Sequence, residues 1–149
     1  MTKFSYSIQI ETSPEKVFDF ATDFKKLNEA GKGFQESEYI SKEPHGLGST
    51  IHTISWVGKR KSEFDEEAIE FVPNKKVTWR IIGAKQPFKM TSAWIFESSA
   101  NGTKLTNSGE YSLPYSVLGM LLDKLIVHKD LEKGLIKFQG NIKKAIEAK

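Results

Sequence analysis

From Val117 to Ile146 the apolar residues return every three or four positions: Val117, Leu121, Leu125, Leu131, Leu135, Phe138, Ile142 and Ile146, with His128 in the same stripe. Lys, Asp, Glu, Gln and Asn fill about half of the remaining positions. That pattern is an amphipathic helix ending near residue 147. About 30 residues at 1.5 Å each reach roughly 45 Å, enough to cross a whole sheet. One stripe that long needs one apolar surface to bury it. If the stripe is continuous, Leu125→Asp places a charge under that surface and unfolds the protein. Gly134 and Gly140 each cost the helix about 1 kcal/mol relative to Ala, and allow either close packing or a bend.

The surface is written upstream. Residues 3 to 11 alternate, with Phe4, Tyr6, Ile8 and Ile10 on one side and Lys3, Ser5, Ser7, Gln9 and Glu11 on the other, which is a half-buried strand. Ser13-Pro14-Glu15 then supplies an N-cap, a proline for the first helical position and an acid for the helix dipole. Val17, Phe18, Phe20 and Ala21 form that helix's apolar face. Asp23 caps a second short helix through Leu27, and Gly31 and Gly33 end the region. Six further strands are expected near 35–42, 49–57, 61–72, 75–83, 87–97 and 103–112. Turns at Pro44–Gly48, Pro73–Lys75, Gly83–Pro87 and Asn101-Gly102 separate them. Successive strands with short turns make an antiparallel meander.

Composition narrows the function. At 149 residues the chain suits one domain, 1–149, with a core that needs no staples. It has no cysteine, which excludes disulfides, thiolate metal sites and cysteine nucleophiles. The first residues lack a signal-peptide pattern and no apolar run approaches the roughly 20 residues of a membrane span, so a cytoplasmic location is expected. Net charge is +3, and only Arg60 and Arg80 are arginines. Nucleic acid is therefore not an expected partner. The basic run Lys59-Arg60-Lys61 reads as a solvated hairpin tip. Three scattered histidines give no zinc spacing, Gly31-Lys32-Gly33 is no phosphate loop, and no cofactor is called for.

The order strand, two short helices, six strands, long helix resembles the START-like (SRPBCC) superfamily. Local segments carry the resemblance across nearly the whole chain. Ile8 to Phe20 is similar to that family's first strand and small-Pro-Glu helix cap, and Gly46-Leu47-Gly48-Ser49 to its glycine turn before the third strand. Asn101 to Leu105 is similar to its Gly-Thr turn before the last strand, and His128 to Leu135 to its final helix. The resemblance implies an α+β helix-grip fold (START-like, Bet v 1-like), a seven-stranded curved antiparallel sheet around a C-terminal helix. It also implies a cavity for lipids, polyketides, quinones or other apolar ligands. The general group it points to is polyketide cyclase/dehydrase and lipid transport. A curved sheet under one helix leaves space that large side chains or a ligand must fill.

Alternation nominates the cavity wall. Tyr6 faces inward on the first strand, His52, Ile54 and Trp56 on the third, Trp79 on the fifth. Met90, Ser92, Trp94 and Phe96 follow on the sixth, Leu105, Asn107, Gly109 and Tyr111 on the seventh, with Leu121, Leu125 and His128 from the helix. The tryptophans suit a pocket and suit plain core filling equally. On the fourth strand either Phe64, Glu66, Ala68 and Glu70 or Asp65, Glu67, Ile69 and Phe71 face inward; a solvated Glu66 is the plainer reading, and a buried one would have a raised pKa. His128 is either a core histidine bonded to a backbone carbonyl or, with Tyr6, His52 or Glu66, an acid–base group for cyclisation or dehydration. His45 is expected exposed in a turn.

Three functions follow. A binding or carrier protein for an apolar small molecule needs only the cavity. A cyclase or dehydratase needs at least two convergent polar groups inside it. An interaction module, a monomer or weak homodimer like the others, would have its cavity plugged by Trp56, Trp79 and Trp94.

Overall fold

The computed structural model describes residues 1–84, 89–112 and 123–148. Strand β1 (Thr2–Ile10) leads into helices α1 (Pro14–Thr22) and α2 (Phe24–Ala30). The strands β2 (Gln35–Tyr39), β3 (Thr50–Val57), β4 (Arg60–Val72), β5 (Lys76–Ala84), β6 (Lys89–Ser99) and β7 (Gly102–Ser112) follow. One π-helical turn, Asp123–Val127, precedes helix α3 (His128–Glu147). The seven strands form one antiparallel sheet in the order β1-β7-β6-β5-β4-β3-β2. This is the expected helix-grip architecture. Residues 117–122, where the long helix is expected to begin, and residues 85–88 lie outside the described residues.

Local chemistry sets the helix starts. The Ser13 hydroxyl accepts from the Lys16 amide with Pro14 at the first position, and the Asp23 carboxylate accepts from the Lys25 amide to start α2. Asn28 on α2 then pairs with edge strand β2 much as another strand would. Its side chain donates to the Ser37 carbonyl at 2.8 Å and accepts from the Ser37 amide at 2.9 Å.

The opposite edge, β1, is gripped by α3. Three α3 side chains spaced four residues apart, Gln139, Lys143 and Glu147, share one face of the helix. Gln139 donates to the Tyr6 carbonyl at 2.8 Å and Lys143 to the Gln9 carbonyl at 2.8 Å; Glu147 accepts from the Glu11 amide at 2.8 Å. The unpaired backbone of an edge strand is thereby covered. Next to this seam, Phe138 and Ile142 are buried against the sheet, and Asn141 donates to the Ala30 carbonyl at the end of α2.

The core is solid at one end of the sheet only. There α1 and α2 pack Phe18 edge-on against Phe71 and Phe96, and Phe24 against Tyr39 and Trp79, over Ile10, Ile51, Val77 and Leu105. Gly102 closes this end. The Ala100-Asn101 turn puts it first in β7 rather than within the turn, at φ 144°, and a Cβ there would sit 2.3 Å from the Ile10 carbonyl oxygen.

The open choice of face on β4 is decided, and the expected helix stripe is corrected. Strand β4 carries both candidate faces: Phe64, Glu66 and Ala68 point inward, then an extra residue between Ala68 and Glu70 shifts the alternation so that Phe71, not Glu70, packs on Phe18. The apolar stripe of the long helix is not continuous either. The π turn shifts its phase, so Val127 is buried and Leu125, half a turn away, is 63% exposed. Gly134 serves close packing rather than a bend: a Cβ there would lie 2.6 Å from the Phe34 ring.

Two stability outcomes follow. Gly102→Ala pushes a methyl into backbone atoms and is expected to cost about 2 kcal/mol or more, lowering the thermal midpoint by roughly 6 °C. Leu125→Asp, at an exposed position, is expected to change stability by less than about 0.5 kcal/mol in urea unfolding.

Candidate ligand cavity

The end of the sheet away from α1 and α2 is hollow. A cavity of about 660 Å³ lies between the strands and the first half of α3, within the size range of small-molecule sites. The same strands that fill the core at one end line the cavity at the other. On β6, Phe96 belongs to the core while Trp94, Ser92 and Met90 line the cavity; on β7, Leu105 gives way to Asn107 and Tyr111; on β1, Ile10 gives way to Phe4. Ser55, Val57, Ser62 and Phe64 close the far side, and Val127, Leu131, Leu135 and Phe138 of α3 roof it with Phe34 and Gln35. Trp94 and Phe138 meet edge to face, with ring centroids 5.8 Å apart, where the cavity gives way to the core.

Of the residues nominated from the sequence, Phe64, Met90, Ser92, Trp94, Asn107 and Tyr111 line this cavity. The others lie elsewhere. His52 sits on the outer face, where its Nδ1 is 2.7 Å from Asp65 and its Nε2 3.2 Å from Glu63. The Asp65 hydrogen bond, aided by Glu63, holds the imidazole above its ordinary pKa. Trp56 shares that face, half-buried opposite Lys61. Both were misplaced because β3 carries apolar residues on both faces. The inner set is Ile51, Thr53, Ser55 and Val57, and the Thr53 hydroxyl is satisfied by hydrogen bonds.

Trp79 is buried in the core against Phe24 rather than in the cavity wall. Tyr6 lies under α3 beside Glu132; burial first, then that carboxylate, raises its phenol pKa. Leu125 is exposed, and Leu121 lies outside the described residues. His128 opens α3 half-buried, off the cavity wall; its Nδ1 is sealed from solvent and has no partner among the described residues, in place of the expected backbone carbonyl. His45 is not exposed: its ring stacks on Tyr39 at 3.4 Å.

Glu66 departs furthest from its plainer reading. It is 4% exposed, on the inner face of β4, and accepts a 3.0 Å hydrogen bond from the Thr53 hydroxyl, which also meets Ser37 at 2.8 Å. Burial raises its carboxyl to about 7, and the Thr53 bond only partly opposes that. The structure thus does not gather His128, Tyr6, His52 and Glu66 at one point.

The sequence reading missed Phe34, Gln35, Ser55 and Val57, and treated Arg60 and Lys61 as solvent-facing only. Those two form the cavity rim, because the hairpin tip Gly58-Lys59 folds toward α3 and Arg60 meets Asp130 at 3.7 Å. The usable signal was the two-residue spacing of Ile51, Thr53, Ser55 and Val57. Among the described residues no His, Asp and Glu side chains gather as a metal site requires, and no helix is long and apolar enough to cross a membrane.

Glu66 makes stability depend on pH. Unfolded, its carboxyl loses its proton near 4.5; folded, it keeps that proton to about 7. Between those values the folded state binds more protons, so its contribution falls as pH rises through this window and is flat above it. At 1.4 kcal/mol per pKa unit the penalty above pH 7 is roughly 3 kcal/mol. Glu66→Gln is expected to recover most of it at pH 8 and almost none at pH 4.5, in urea unfolding of both proteins at the two pH values.

Comparison with known proteins agrees with this geometry. Residues 1–147 match the family described as polyketide cyclase / dehydrase and lipid transport. A search of curated proteins finds no match. Among solved structures the chain is similar to TTHA0849 from Thermus thermophilus, at 20% identity and TM-score 0.83, covering 99% of this chain and 98% of that one. It is similar to the Zhui aromatase/cyclase from Streptomyces sp. R1128, at 9% identity and TM-score 0.79, covering 98% and 93%. It is also similar to Ara h 8.0201, at 14% identity and TM-score 0.69, covering 99% and 98%. These likenesses establish the fold, and the family and fold together support hydrophobic ligand binding in general. With its helix-grip fold and a match over nearly every residue, the chain belongs to the polyketide cyclase/dehydrase and lipid transport family.

Proposed function

We propose that this protein binds and carries an apolar small molecule, of the lipid, polyketide, quinone or aromatic class, in the cavity between the sheet and α3. The observation that carries this reading is the lining itself. Phe4, Phe34, Phe64, Trp94, Tyr111 and Phe138 surround an open space of about 660 Å³. Aromatic rings around an unfilled volume lose dispersion contacts that a ligand restores. The tryptophans do not plug the space: Trp94 is part of its wall, Trp79 is in the core and Trp56 is on the outer face. The cyclase alternative calls for two convergent acid–base groups. None of its four candidates is among the described residues that line the cavity.

Native mass spectrometry of the protein as purified, followed by extraction, tests the reading. A stoichiometric apolar passenger is expected. The proposal fails if the protein is empty and also takes up no lipid, quinone or flavonoid. Ser92→Phe supplies a second check, because it fills the cavity from a half-buried wall position. Uptake of 1-anilinonaphthalene-8-sulfonate is expected to fall at least tenfold while the melting temperature stays within about 3 °C.

A further inference from the structure

Building on the carrier reading, we infer that the cavity selects ligands bearing a hydrogen-bond acceptor oxygen at their buried end, and that Asn107, oriented by Gln139, is the residue that selects them.

Asn107 is 5% exposed and lines the cavity where its hollow end meets the solid core. The direction of its amide follows from its partners. The Tyr6 carbonyl can only accept, so the Gln139 group facing it at 2.8 Å is the Nε2 amide. The same Nε2 donates its second hydrogen to Asn107 Oδ1 at 2.9 Å. A flipped Gln139 would set two carbonyl oxygens face to face, and a flipped Asn107 would set two N–H groups face to face. The backbone of β1 therefore fixes both amides, and Asn107 Nδ2 is left over. Among the described residues Nδ2 has no partner, and it is not sealed off as the buried His128 Nδ1 is. It is a rigid donor beside the aromatic rings of Trp94 and Phe138.

A donor in that position penalises the wrong ligand as much as it rewards the right one. In the empty cavity water can satisfy Nδ2. A ligand that displaces the water without supplying an acceptor strands the N–H in a low-dielectric site. A ligand with a carbonyl or phenolic oxygen at its leading end replaces the water bond. The rings of Trp94 and Phe138 stand beside this point, so the matching end is a flat aromatic or conjugated ketone rather than a plain alkyl terminus.

The experiment uses two probes with one carbon skeleton, chalcone (1,3-diphenylpropenone) and 1,3-diphenylpropene, which lacks the carbonyl. Each displaces 1-anilinonaphthalene-8-sulfonate from the full-length protein. The wild type is expected to prefer chalcone at least tenfold. Asn107→Leu is expected to abolish that preference by weakening chalcone while leaving 1,3-diphenylpropene as tight or tighter. Gln139→Met, which frees the Asn107 amide to turn, is expected to reduce the preference without removing it, and it decides the matter should Asn107→Leu fail to fold. Equal affinity of the wild type for the two probes, or an unchanged preference in a folded variant of either residue, would overturn the inference while leaving the carrier reading standing. A wild type that binds neither probe nor the dye overturns both.

Discussion

Everything in this molecule depends on how one helix is fastened to one edge of the sheet. Gln139, Lys143 and Glu147 reach the β1 backbone at Tyr6, Gln9 and Glu11, and Phe138 and Ile142 pack beside them. The hydrogen bonds are polar and directional, so they set the axial position and roll of α3, which burial alone leaves loose. That roll turns Val127, Leu131 and Leu135 toward the sheet. It also leaves Gly134 beneath the Phe34 ring, where any larger residue would collide.

The division between core and cavity follows from the same anchoring. The fastened second half of α3, with α1 and α2, supplies enough side chains to fill one end of a curved sheet. At the other end α3 is the one described helix over the sheet, and a single helix leaves a space. The boundary is marked by Trp94 against Phe138, with Gln139 and Asn107 beside them. Solid packing beneath the cavity lets its inner end hold a fixed shape, which a binding site needs if it is to discriminate between ligands.

Two hydrogen-bonded sets of polar groups lie on the inner face. Ser37, Thr53 and Glu66 satisfy one another within the sheet, at the cost of a carboxyl group held protonated up to about pH 7. Gln139 and Asn107 form the second chain, which ends in a donor turned to open space. The ionisable cluster His52, Asp65 and Glu63 belongs to neither, since it stands on the outer face in contact with solvent.

Residue order by itself determined the element sequence, the antiparallel meander and the amphipathic helix, because turns, caps and periodicities are local and each is encoded within a few residues. It also put Met90, Trp94 and Asn107 on the inner face, on strands β6 and β7 whose alternation is unbroken. Where a local irregularity shifts the phase, only the tertiary structure decided. The extra residue in β4 settled Glu66 and Phe71, and the π turn took Leu125 and His128 out of the apolar stripe. On β3 two half-apolar faces were both plausible. The choice went to the one whose Thr53 could share its hydroxyl with Ser37 and Glu66, strands and residues that sequence proximity does not bring together. The cavity is tertiary in the same sense: it is the volume left when distant elements meet, and no single segment encodes an absence.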